Sequence, residues 1–416
     1  MIPNQYIGQI FTAKNQMGIK DKIEFVHRII AGKTEDILLK NVEMHLPSKI
    51  FYKKNIEGEI YNHGMHLLQQ GKIAIVMVAG GISSRMGISD LRGNLPIGPV
   101  TNRTIYQLQA EKILAIQKKY HSDIPIIILT SPSVHNRTIE SFKRQDFYGL
   151  SRDNIYFIQQ ETLPILDSNL QCVLSKDNVI EEHPTGHGGL INALNNSGLL
   201  KKLREIGIQH LFYFQYPNIL EQVCDPVMIG FHDFSLAEFT IKTINDYQES
   251  EKLGKIIEYN GHLKLIEYYN KDEIKQELWE RLPANIGSHV ISLDLIERVI
   301  DQNIELPYRI IPLHDDRNIL KIEQHIFDLM DFTQSITILA VNKNEEYACV
   351  KSLSGINSLQ KAKEALNSLY LSWLKEVEIS TPEMKKVEIS PLFAHNITEL
   401  KQKSKFEIRN NIRCCD

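Results

Sequence analysis

The sequence predicts a doubly wound α/β fold on three observations: β-rich runs that are apolar on both faces, helical runs between them, and glycine or polar residues where the strands stop. The first strand spans 72–78 and closes on Ala79, Gly80 and Gly81, as a buried parallel strand ends at its loop. Residues 104–120 read as a helix and 124–130 as a second strand. A helix over 139–147, a strand over 154–160, a helical stretch over 189–206 and a strand over 210–216 continue the alternation. Ahead of them, Ile23, Val26, Ile29, Ile30 and then Ile60, Tyr61, Met65, Leu68 recur at three-and-four spacing, which predicts helices up to residue 70. Past residue 235 the pattern shortens to alternating segments around a turn at Asn260 and Gly261, expected as antiparallel strands inserted over the sheet. A helix over 358–375 and a polar tail from Asn396 complete the chain. Ligands of such sheets bind beyond the carboxyl ends of the strands, so the informative residues should follow them.

The chain has 416 residues, enough for roughly two to three domains. With 43% hydrophobic and 24% charged residues it falls outside the disordered, collagen-like and coiled-coil classes. Forty-seven basic against 51 acidic residues give a net charge of −4, so no basic field is offered to nucleic acid or to an anionic membrane. Any phosphate site must be local. The longest apolar run, 73–81, is too short to span a bilayer, and the first residues lack a signal-peptide pattern, which predicts a cytoplasmic chain. Five cysteines without metal-ligand spacing indicate neither a disulfide framework nor a zinc site. The pair Cys414 and Cys415 does not fit prenylation, because Arg413 stands fourth from the end; reversible acylation is the reading left to it.

Gly32-Lys33-Thr34 is not the end of a phosphate-binding Walker loop, since His27 occupies the place of its leading glycine. The loop 80–87 is more informative: glycines let backbone N–H groups approach an anion, and Arg85 adds a forked donor. Gln160 follows another strand, His187, Gly188 and Gly189 open a helix, and Asn218 follows a third strand. Polar and glycine positions thus collect where a nucleotide could lie.

With these positions in order, the chain resembles the UDP-sugar pyrophosphorylases, most closely the eukaryotic-type UDP-N-acetylhexosamine pyrophosphorylases. The resemblance runs from about residue 61 to 392, through blocks 71–81, 104–112, 145–150, 157–164, 186–189, 225–230, 266–268, 284–286, 321–323, 327–328 and 388–392. It implies a Rossmann-like nucleotidyltransferase core with a mixed, mostly parallel sheet. That core would span 71–340, between a helical N-terminal segment at 1–70 and a small C-terminal domain and tail at 341–416. The implied activity is uridylyl transfer from UTP to a sugar 1-phosphate with release of pyrophosphate, assisted by Mg²⁺. The implied partners are small molecules, UTP and a sugar 1-phosphate or UDP-sugar.

By the same resemblance, Ala79, Gly80, Gly81, Gln160, Gly188 and Asn218 belong to the nucleotide site, and Gly189, Glu267 and Asn285 to the sugar site. Arg85, Arg92, Lys321 and Lys351 are the implied catalytic cations. Two departures stand out. The family's Pro-Lys-Gly step reads Leu91, Arg92, Gly93, and arginine neutralises phosphate with a wider head than lysine. The family's metal-binding aspartate is Pro217, so no metal ligand is assigned here. Two functional readings follow: a divergent uridylyltransferase, or a catalytically degenerate member that binds UTP or a UDP-sugar as a sensor. A third, different transfer chemistry on the same scaffold, has no acceptor named in the sequence.

Overall fold

The structure is a computed structural model that describes residues 9–10, 19–32, 43–81, 87, 90–313, 317–380 and 386–415. Twelve strands of the described residues join one sheet, flanked by helices. Its core strands are β1 (Ile73–Val78), β2 (Ile126–Thr130), β3 (Ile155–Gln159), β4 (His210–Gln215), β5 (Phe239–Ile244), β6 (Ala284–Ser292) and β7 (Ile336–Ala340), in the order β3-β2-β1-β4-β6-β5-β7. β3, β2, β1 and β4 run parallel, β6 is antiparallel to both neighbours, and β7 is parallel to β5. The carboxyl ends of six strands and the start of β6 therefore meet at one edge.

Alternation along the strands explains the layers. Ile73, Ile75 and Met77 of β1 pack with Ile126, Ile128, Phe157, Phe212 and Phe214 under the helices Ile105–Tyr120 and Leu359–Glu376. Ala74 and Val76 face the other way, with Ile127, Leu129, Leu211 and Tyr213, against Leu190–Ser197 and Leu293–Asp301. Two buried faces account for strands without polar alternation. Thr104 caps its helix by accepting from the Gln107 backbone, and Ser358 caps another through Lys361.

Several expectations are corrected. The segment before residue 70 is not helical throughout: beside the helices Ile19–Gly32 and Gly58–Gln69, Phe51–Tyr52 extends the sheet at β7 and Met44–His45 pairs with Lys255–Tyr259. The stretch 189–206 is two helices, Leu190–Ser197 and Leu199–Glu205, parted at Gly198 in a left-handed conformation with φ of 73°. Residues 235–265 are no insertion over the sheet, because Phe239–Ile244 is the core strand β5. Only the hairpin Lys255–Tyr259/His262–Ile266, turning at Asn260 and Gly261, matches the expected antiparallel pair, and it joins the same sheet through Lys255 and Ala284. The polar tail folds as well, into Ile397–Lys401, Lys405–Asn411 and a strand Ile412–Cys415 that pairs with Lys386–Ile389. Among the described residues no helix is long and apolar enough to cross a membrane.

Candidate active site

The shared strand edge gathers most of the residues singled out from sequence. Gly80 and Gly81 follow β1, Gln160 follows β3, Asn218 follows β4, and Asn285 opens β6. Gly80 lies directly against Gln160: a Cβ built on Gly80 would fall 2.1 Å from Gln160 Nε2. On the other side of Gln160, a Cβ on Gly189 would come 3.3 Å from its Cβ and 2.6 Å from Thr185 Oγ1. Gly188 is equally tight, since a Cβ there would fall 2.7 Å from the backbone nitrogen of His325. Gly80 and Gly189 thus bring two loops against Gln160, while Gly188 lets the second of them close on Gln324 and His325. Gln160 is 5% exposed and its Oε1 has no hydrogen-bond partner among the described residues. A buried acceptor left open in this way suits a ligand donor. Ala79 is buried behind the loop and donates its backbone N–H to Leu129 O.

Beside this slot opens a cavity of about 160 Å³, lined among others by Gln215, Asn218, Gly254, Glu267, Asn285 and Lys351. Asn285 Oδ1 accepts from the Gly287 backbone at 2.8 Å, fixing the amide at the rim. Desolvation raises the Glu267 carboxyl above its ordinary range, although His325, Arg309 and Lys351 pull the other way. Burial brings His289 down to about 3 and, with His325 beside it, holds His187 well below its usual value, so both rings in the lining are neutral. Lys252 and Lys351 are the cations of the lining.

Arg92 begins the short turn Arg92–Asn94. Its charge acts on the Tyr216 hydroxyl and on the Cys349 thiol, which lines the cavity, and its Nε is buried without a partner among the described residues. Lys321 is not brought to the cavity: it is 7% exposed and ion-paired with Glu323. Arg85 lies outside the described residues. Asn218 reaches the lining, but its amide is engaged within the protein. Its Oδ1 accepts from Ala348 N at 3.0 Å, and its Nδ2 donates to Glu221 Oε2 at 3.0 Å and Glu346 O at 2.9 Å.

The chemistry of these donors bears on Mg²⁺, which the resemblance implies. Pro217 has no side-chain oxygen, and the Asn218 oxygen is neutral and already accepts from Ala348 N. Glu267, the carboxylate of the lining, is shifted toward its neutral form. Among the described residues no group of three or more His, Cys, Asp or Glu is placed to hold a metal. Neither Pro217 nor Asn218 supplies a carboxylate at this loop.

Residues 23–409 match the family described as UTP–glucose-1-phosphate uridylyltransferase. The chain belongs to this family. It is 30% identical over 385 residues to a UDP-N-acetylglucosamine pyrophosphorylase of Saccharomyces cerevisiae, covering 83% of this chain and 80% of that protein. It is 28% identical over 343 residues to UDP-N-acetylglucosamine diphosphorylase 2 of Arabidopsis thaliana, covering 75% and 68%. The fold matches the crystal structure of the uridine diphosphate N-acetylglucosamine pyrophosphorylase of Trypanosoma brucei with a TM-score of 0.78, at 21% identity, covering 92% of this chain and 86% of that one.

Sequence reasoning missed part of the lining of this family member's cavity. Lys252, Tyr347 and Cys349 come from loops whose approach depends on how the chain crosses back after β5 and β7. Gly254 carried a detectable signal, since it stands just before a strand, as Gly80 stands just after one.

Proposed function

We infer that the protein transfers a uridylyl group from UTP to a sugar 1-phosphate, giving a UDP-sugar and pyrophosphate. The observation that carries this reading is the family match across residues 23–409. The slot around Gln160 supports it: uracil presents a ring N–H flanked by two carbonyls, and the open Gln160 Oε1 is an acceptor for that donor. Glycines 80 and 189 hold this side chain in place by letting their backbones pack directly against it.

In the reaction an oxygen of the sugar phosphate attacks the α-phosphorus of UTP in line. The bond from that phosphorus to the oxygen bridging to the β-phosphate breaks, and pyrophosphate departs with the electron pair. The protein's share is positioning and charge neutralisation. Arg92 and Lys351 act on the same thiol, Cys349, and so bring positive charge to one part of the cavity from two elements. Glu267 and Asn285 offer acceptors and a donor to sugar hydroxyls.

The test is pyrophosphate release from UTP across a panel of sugar 1-phosphates, with N-acetylglucosamine 1-phosphate first because the relatives' names point to it. Release that needs both substrates supports the reading; UTP binding without release with any sugar overturns it in favour of a degenerate binder, a reading to which the comparisons lend no support.

A further inference from the structure

We propose that Glu388 is a positioning residue for Arg92: its buried carboxylate clamps the tip of the loop that follows Arg92, so the last β pair of the chain helps set the phosphate site. The proposal rests on the reading of Arg92 as a cation on the transferred phosphate.

The loop between Arg92 and the helix Ile105–Tyr120 folds back on itself. Ile97 N and Gly98 N both donate to Arg103 O, at 2.8 and 3.1 Å, and Ile105 N donates to Leu95 O at 3.1 Å. Pro96 and Thr104 form an isolated bridge between them. The tip of this fold meets a single side chain. Glu388 Oε2 accepts from Val100 N at 2.8 Å and Thr101 N at 2.7 Å, while Oε1 accepts from Thr101 Oγ1 at 2.6 Å and pairs with Arg103 Nε at 2.5 Å. Arg103 in turn pairs with Glu111. Gly98 is pressed so close that a Cβ there would lie 2.9 Å from Glu388 Oε1.

Glu388 is 1% exposed. Burial opposes its ionisation, yet the donors of Thr101 and Val100 and the charge of Arg103 outweigh it and hold the carboxyl below its ordinary range. A buried carboxylate with this many donors is tightly placed, and losing its charge leaves several donors unpaired. All of them belong to the loop that begins three residues after Arg92. The turn at the other end of that loop is held by two buried tyrosines of the core. A Cβ on Gly93 would be 2.2 Å from the Tyr106 ring, and the Tyr216 hydroxyl takes a hydrogen bond from the Gly93 backbone. Arg92 is thus fixed between a contact from β4's loop and a clamp from the C-terminal part.

The clamp itself depends on the last strand. Glu388 lies in Lys386–Ile389, which pairs antiparallel with Ile412–Cys415, opposite Arg413. The segment that invites an acylation reading is therefore part of the ladder that carries the clamp.

The experiment compares the full chain with Glu388→Gln, Thr101→Val, Arg92→Ala and the double variant Arg92→Ala/Glu388→Gln, measuring UTP affinity by titration and turnover with a sugar 1-phosphate. In Glu388→Gln the UTP affinity should stay within about threefold while kcat falls by about 100-fold, the size of effect a misplaced catalytic group gives. The double variant should be no slower than Arg92→Ala. Thr101→Val, which removes the hydroxyl's bond to Glu388 and its longer contacts with Arg103 but keeps the carboxylate, should lose about threefold to tenfold in kcat and serves if the first variant does not fold. Losses that add in the double variant, a kcat unchanged in both clamp variants, or a fall in UTP affinity matching that in kcat would each overturn the proposal. If Arg92→Ala alone turns over normally, it is the phosphate role of Arg92 that fails, and the clamp proposal falls with it.

Discussion

Gln160 Nε2 occupies the space that a side chain on Gly80 would need, 2.1 Å from where its Cβ would lie. The first loop of the sheet and the loop after β3 are therefore built to touch through a missing side chain. Gly80→Ala should push the Gln160 amide out of its slot and weaken UTP binding by at least about tenfold, with unfolding little changed because the displaced group is a side-chain end. Calorimetric titration with UTP checks this; unchanged affinity would mean that the slot does not read the base.

Arg92→Ala should lower turnover by about 100-fold or more, since one preorganised charge at a developing phosphate charge is worth that much. Arg92→Lys keeps the charge and should recover part of the loss. Steady-state kinetics with UTP and the best sugar 1-phosphate measures both.

Gly64 and Gly230 let the helices Gly58–Gln69 and Pro226–Phe234 touch through their backbones. A Cβ on Gly230 would fall 2.0 Å from Ile60 O, and one on Gly64 would fall 1.9 Å from Pro226 O. Backbone cannot move aside cheaply, so Gly230→Ala should cost about 1–3 kcal/mol or more. Chemical denaturation measures the loss; a midpoint equal to the parent's would contradict the contact.

Acid should destabilise the fold before the carboxylates titrate. His135, His232 and His289 are nearly fully buried, and burial brings His135 to about 4 and His289 to about 3, with His232 well below its usual value. Unfolded histidine takes a proton near pH 6.5, whereas these remain neutral in the fold to lower pH. Between those limits the unfolded chain binds more protons, so stability is full above about 6.5 and is lost as pH falls, by up to about 1.4 kcal/mol per pH unit for each residue. Denaturation midpoints at pH 7.5 and 5.5 test this; equal values would contradict it.

The core was legible where burial on both faces removed all ambiguity. The runs that became β1, β2, β3 and β4 are apolar at every or nearly every position, and their ends fell within two residues of the expectation. Strands that owe their place to partners were harder. Phe239–Ile244 carries Lys242 and two further polar positions, Thr240 and Thr243, and Lys242 is accommodated in the core by its ion pairs with Glu221 and Glu346. Ser404 with Glu407 forms a capping box that the tail sequence displayed, but its charge hid the helix. At the site, the residues next to strand ends could be found, whereas Lys252 and Cys349 depend on loop crossings that periodicity does not encode. Asn218 was expected to meet the nucleotide; the structure joins its amide to Ala348, Glu221 and Glu346.

Uridylyl transfer is measured most directly as pyrophosphate release from the purified full chain given UTP and each of a panel of sugar 1-phosphates. Release is expected only when both substrates are present, with a clear preference among the sugars and a steep fall in Arg92→Ala. Release of nothing from any pair, despite saturable UTP binding, would contradict it.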